Sequence, residues 1–107
     1  LRCDAQALHW YGADGKTGAQ QAQLFIDYIA HAHSVVNDIY KRNMDLWITE
    51  FSPLPINNAQ IMSDFLNVVI PWLDAQDYVA RYSPFKAEYL VSGSNLNVAG
   101  QTFVNKS

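Results

Sequence analysis

Two hydrophobic periods alternate along this chain, and that alternation narrows its possible folds more than any other feature. Ala5 to Tyr11 (AQALHWY) reads as a short strand with aromatic residues at its end, and Gly12-Ala13-Asp14-Gly15 breaks it with turn chemistry. From about Gln20 to Arg42 the apolar residues fall at Leu24, Phe25, Tyr28, Ile29, Ala32, Val35, Val36, Ile39 and Tyr40. Spacing of three and four predicts an amphipathic helix with one core face. Lys41-Arg42 suits the negative end of its dipole, and Asn43 suits a left-handed cap. Leu46 to Phe51 is the second strand, stopped by Pro53 and Pro55, which cannot continue a central ladder. Asn57 or Asn58 caps a second helix that buries Ile61, Met62, Phe65, Leu66, Val69, Trp72 and Leu73, with Pro71 kinking it near the end. Tyr78 to Tyr82 is a third strand, closed by Pro84. The tail from Ser92 is rich in Gly, Ser and Asn and is expected to dock through Leu96, Val98 and Phe103.

Strand, helix, strand, helix, strand is the order of an α/β protein with right-handed crossovers and a parallel sheet. The 107 residues, half of them apolar and 13% aromatic, suffice for one modest core and one domain, residues 1–107. Three strands with their helices stand poorly alone. They fit as part of a (β/α)8 barrel, which takes about 250 residues. The first residue is Leu, so the N-terminus reads as a cut. Only 16% of residues are charged, the net charge is -3, and the largest basic cluster is Lys41-Arg42. Neither nucleic acid nor an anionic membrane is the expected partner. No apolar run approaches the ~20 residues of a membrane span. Cys3 is the only cysteine, so it is either buried or paired with something outside the sequence. No metal-ligand spacing or cofactor motif stands out, and none is expected.

In a barrel the active site lies at the C-terminal ends of the strands. Glu50, one of the two glutamates, ends the second strand. By the two-residue period Leu46, Ile48 and Glu50 share one face, so if Ile48 points into the barrel, Glu50 does too. A strand-end glutamate can equally be a solvated carboxylate or a partner for a helix N-terminus. His9 and Tyr11 share a face at the end of the first strand, where they can donate hydrogen bonds to a neighbouring carboxylate and keep it charged. They can also be a satisfied core histidine and a packing residue, and Trp10 points the other way, between strand and helix. Tyr82 and Phe85 flank the end of the third strand, where aromatics stack on sugars or simply fill a core. Glu88, Asn37 and Asp38 read as solvated. His31 and His33, two apart on a helix, do not share a face and read as flank residues.

The stretches ALHWYG (Ala7 to Gly12), LWITEF (Leu46 to Phe51) and VARYSPF (Val79 to Phe85) resemble the last three strands of family 128 of the glycoside hydrolases. IPWLD (Ile70 to Asp74) and LNVAGQTF (Leu96 to Phe103) are similar to segments of the same family. The resemblance implies the C-terminal part, about strands six to eight, of a (β/α)8 barrel with two catalytic glutamates. It implies a retaining, endo-β-1,3-glucanase-like enzyme, secreted or bound to the cell wall and monomeric at full length, with a β-glucan as its partner. Glu50 matches the family's seventh-strand nucleophile, and His9 and Tyr11 match sixth-strand residues lining the site. In such enzymes one carboxylate attacks the anomeric carbon while a second, about 5 Å away, serves as acid and then base. That second glutamate belongs to the fourth strand, which has no counterpart here, and Glu88 does not match it. The 107 residues are therefore expected to have little activity alone. The family commonly has a tryptophan near the end of the eighth strand. Pro84 stands there instead, leaving Tyr82 or Phe85 as the sugar platform. Two other readings fit the residues: a non-catalytic glucan-binding pseudoenzyme, and a small stand-alone α/β interaction domain.

Overall fold

The computed structural model describes residues 4–84, 90–92 and 95–106. Cys3, Phe85 and Glu88 lie outside them. The elements are β1 (Ala5–Tyr11), α1 (Gly18–Tyr40), β2 (Asp45–Ser52), α2 (Ala59–Ala75), β3 (Val79–Pro84), β4 (Val91–Ser92), β5 (Asn95–Leu96) and α3 (Val98–Lys106). β1, β2 and β3 form a parallel sheet in that order, with β2 central, and β4 and β5 make a short antiparallel pair. The mixed α/β fold with a parallel sheet is the one the alternating periods predict.

The core lies between one face of the sheet and the helices. β2 contributes Leu46, Ile48 and Phe51, α1 contributes Ala22, Phe25 and Ile29, and α2 contributes Met62, Phe65, Leu66, Val69, Ile70 and Leu73. Trp10 joins this layer from β1, stacked on Phe65 at 5.6 Å and edge-on to Phe25 at 5.1 Å, on the helix side where alternation places it. The other face carries Ala7, His9 and Tyr11 from β1, Trp47 and Thr49 from β2, and Arg81 from β3, all exposed. Each strand thus buries one set of side chains and leaves its other set open.

Local chemistry sets the helix ends. α1 begins two residues before the apolar pattern suggests, because Thr17 and Gln20 form a capping box. The Gln20 amide donates to Thr17 Oγ1 at 3.1 Å, and the Thr17 amide donates to Gln20 Oε1 at 2.9 Å. Its left-handed cap is Lys41 (φ 57°), not Asn43. Asn43 is drawn elsewhere: its Oδ1 lies 3.1 Å from His33 Nε2. Asn37 is likewise not simply solvated, since its Oδ1 accepts from the Met44 amide at 2.7 Å. His33 is half-buried, stacks on Tyr78 at 3.6 Å just before β3, and holds the α1–β2 connection through Nε2, 3.1 Å from the Met44 carbonyl oxygen. Asn58 caps α2 by accepting from the Ile61 amide at 2.9 Å. α2 continues through Pro71 to Ala75.

The tail differs most from expectation. Much of it is a helix, α3, packed on α2, with Ala99 and Phe103 against the core and Thr102 hydrogen-bonded to Ser63, while Leu96 and Val98 stay 42% and 41% exposed. A Cβ at Gly100 would sit 2.1 Å from the Leu90 carbonyl oxygen, so glycine there allows α3 to approach the Leu90 backbone closely.

Candidate active site

Parallel pairing brings the C-terminal tips of β1 and β2 side by side. Leu8 pairs with Ile48, but His9 pairs with Glu50, so Thr49 is an extra residue on β2 and the register shifts there. This bulge changes the side on which Glu50 emerges. Ile48 and Phe51, three apart, both face the helices and are fully buried. Glu50 is half-buried and meets the open-face residue Tyr11. Glu50 therefore does not share a face with Ile48, as strict alternation implies. The Thr49 hydroxyl lies 3.5 Å from the Leu8 carbonyl oxygen at the shift.

The Tyr11 hydroxyl donates a hydrogen bond to Glu50 Oε2. Desolvation, then this bond and the negative charge of Glu50, push the Tyr11 phenol up to about 12. Tyr11 therefore keeps its proton at neutral pH and acts as a donor. His9 is exposed beside Glu50 in the pairing register. Of the two β1 residues, only Tyr11 donates to Glu50 among the described residues.

Tyr82 goes elsewhere. It pairs with Ile48, so it lies on the helix side, its ring 6.4 Å from Phe51 and its hydroxyl donating to Asp74 Oδ1 at 2.8 Å. The structure does not bring it to the Glu50 rim. Pro84 is in register with Phe51. Phe85 lies outside the described residues.

Beside β3 runs a groove of about 530 Å³, lined in part by Trp47, Thr49, Asp74, Arg81 and Ser83. Arg81 sits over the Trp47 ring at 5.1 Å, a cation–π contact on the open face. The groove does not include His9, Tyr11 or Glu50. Among the described residues no cluster of three or more His, Cys, Asp or Glu could hold a metal ion. No described helix is long and apolar enough to cross a membrane.

What this rim offers chemically is a carboxylate at a strand tip, half-shielded and oriented by a neutral phenol, on the face away from the helices. A carboxylate so held can attack an electrophilic carbon, provided a second group protonates the leaving atom.

The family model for the glycosyl hydrolase catalytic core matches residues 2–106. Among solved structures, the chain is similar to a curdlan-specific exo-β-1,3-glucanase of glycoside hydrolase family 128, subgroup III, from Blastomyces gilchristii, in complex with glucose. Identity is 32% and the TM-score 0.73, over 94% of this chain and 39% of that one. It shares its fold with an oligosaccharide-binding protein of family 128, subgroup VII, from Trichoderma gamsii. There identity is 18% and the TM-score 0.65, over 99% of this chain and 42% of that one. No curated protein matches. The chain thus spans about two fifths of the length of these two structures.

Proposed function

Because this chain belongs to the glycosyl hydrolase catalytic-core family, within family 128 of the glycoside hydrolases, we propose that it supplies the nucleophile half of a retaining β-1,3-glucanase. The observation that carries the reading is the Tyr11–Glu50 hydrogen bond at the C-terminal rim of the parallel sheet. Glu50 attacks the anomeric carbon and forms a glycosyl-enzyme. Tyr11 orients the attacking carboxylate, and His9 lines the adjoining sugar subsite. The acid/base carboxylate comes from outside these 107 residues. Phe85, the residue after Pro84 in the sequence, takes the role of sugar platform, since the Tyr82 hydroxyl donates to Asp74.

The open architecture supports the reading. Among the described residues β1 and β3 each have an unpaired edge, and α1 exposes an apolar stripe, which further strand–helix units of a barrel would cover. In this reading residues 1–107 are strands six to eight of one catalytic domain, acting as a monomer outside the cell on β-glucan. Endo action is part of the proposal. The Blastomyces gilchristii neighbour is exo-acting, so a ladder of oligosaccharide products against glucose alone decides the point.

The test is a chimera in which these 107 residues replace the matching segment of the Blastomyces gilchristii enzyme. It should release reducing sugar from a laminarin-type glucan with retained anomeric configuration. Glu50→Gln should lower kcat by about 10³-fold or more, the scale of removing an activated nucleophile. A folded chimera indifferent to Glu50→Gln refutes the assignment. The 107-residue chain alone should show little turnover. Turnover abolished by Glu50→Gln in that isolated chain would refute the need for an outside acid/base. A non-catalytic glucan binder is the second reading, favoured by Pro84 at the usual tryptophan position and by the helix-side placement of Tyr82. It predicts glucan retention by the chimera with no hydrolysis.

A further inference from the structure

Gln21 sits in the first turn of α1, on the same face as Phe25 and Ile29, and is wholly buried. A polar side chain there costs desolvation that a leucine or methionine would not. Every hydrogen-bonding capacity of its carboxamide is nonetheless filled, and every partner is backbone. Oε1 accepts from the Ala13 amide at 3.2 Å and the Leu54 amide at 2.8 Å. Nε2 donates to the Lys16 carbonyl at 3.1 Å and the Leu54 carbonyl at 2.7 Å. These atoms belong to two loops. Ala13 and Lys16 are in the loop that leaves Tyr11, and Leu54 is in the loop that leaves Glu50.

The neighbouring backbone is shaped to this side chain. A Cβ on Gly12 would sit 2.0 Å from Gln21 Oε1, so only glycine leaves room for the carboxamide. The Gly12 amide also donates to the Ser52 carbonyl at 3.0 Å, carrying the β1–β2 pairing one step past the strand end. One buried amide thus fastens the two segments that continue from the two residues of the proposed site.

We infer that Gln21 is a positioning residue: its carboxamide locks the loop after Tyr11 to the loop after Glu50, and so holds the Tyr11 hydroxyl against the Glu50 carboxylate. This deepens the hydrolase reading and rests on it for its catalytic meaning, but its test uses no turnover. An inactive chimera would remove the hydrolase reading and leave the measurement below intact.

The measurement is the ionisation of Tyr11 in the 107-residue chain, read by NMR from ¹³Cζ-labelled tyrosine and assigned with Tyr11→Phe. With its phenol near 12, about a tenth of Tyr11 is ionised at pH 11, and about nine tenths would be at its ordinary value. Gln21→Met keeps the volume and removes the lock. It should raise the ionised fraction several-fold, whereas Ile29→Val, a core loss on the same helix face, should leave it unchanged. A folded Gln21→Met chain in which Tyr11 stays as neutral as in the wild type overturns the inference. If that variant does not fold, the wild-type chain decides by hydrogen exchange at neutral pH. The Ala13 and Leu54 amides should be protected like those of β1 and β2, and exchange at free-peptide rates would overturn the proposal.

Discussion

At the scale of single residues, the phenol of Tyr11 is the mildest handle on the proposed nucleophile. Tyr11→Phe removes one hydrogen bond to a charged acceptor. In the chimera it should lower kcat/KM by about 10- to 100-fold, far less than Glu50→Gln. The same group gives a pH signature. The folded chain holds the Tyr11 proton more tightly than an unfolded chain, whose phenol ionises near 10. Its contribution to stability is complete below about pH 10 and is lost as pH rises through about 12. Urea midpoints across that window should fall more steeply for the wild type than for Tyr11→Phe, and parallel curves would contradict the bond. The shared side of His9 and Tyr11 was legible because a regular strand has a period of two. The side of Glu50 was not, because the extra residue at Thr49 arises from pairing with β1, which no local pattern encodes. The burial of Gln21 did leave a trace. It is a polar residue in the core stripe of α1, four and eight positions before Phe25 and Ile29.

At the scale of elements, packing and capping separate in size. Phe65 touches Trp10, Phe25 and Phe51 and is fully buried, so Phe65→Ala should cost about 3–5 kcal/mol in urea unfolding. Thr17→Ala removes the side-chain half of the α1 capping box and should cost about 1 kcal/mol. Equal losses from the two would mean that the capped turn carries more than one hydrogen bond. The three sheet strands and the first two helices were readable because each keeps its period long enough to bury a continuous face. α3 was not, because its buried residues are Ala99, in the core, and Gly100, against the Leu90 backbone, whose value lies in what they lack. The end of α1 was misplaced for a related reason. Asn43 has the better left-handed preference, but its side chain is occupied near His33, and Lys41 takes the turn.

At the scale of the whole molecule, the apolar surface left outside the core bears directly on the barrel proposal. Leu24, Tyr28, Val35 and Ile39 line α1 at helical spacing with exposures of 42, 40, 43 and 67%. Sequence periodicity assigned all four to a core face. They are apolar but exposed, and of the residues that periodicity placed on the core face Phe25, Ile29 and Val36 do enter the core, joined by Ala22. A helix carrying two apolar faces is expected where it has neighbours on two sides. If further strand–helix units complete a barrel, the stripe packs against one of them. Substituting it then has opposite effects in two contexts. In the isolated chain, Val35→Lys with Ile39→Lys should change unfolding free energy by no more than about 0.5 kcal/mol per site, as exposed positions do, and should reduce self-association in light scattering. In the chimera the same pair should destabilise by several kcal/mol, because two charges enter a packed helix interface without partners. A chimera as tolerant of both lysines as the isolated chain would show that nothing covers this face, and the barrel-completion part of the proposal would fall while the Tyr11–Glu50 pair stood.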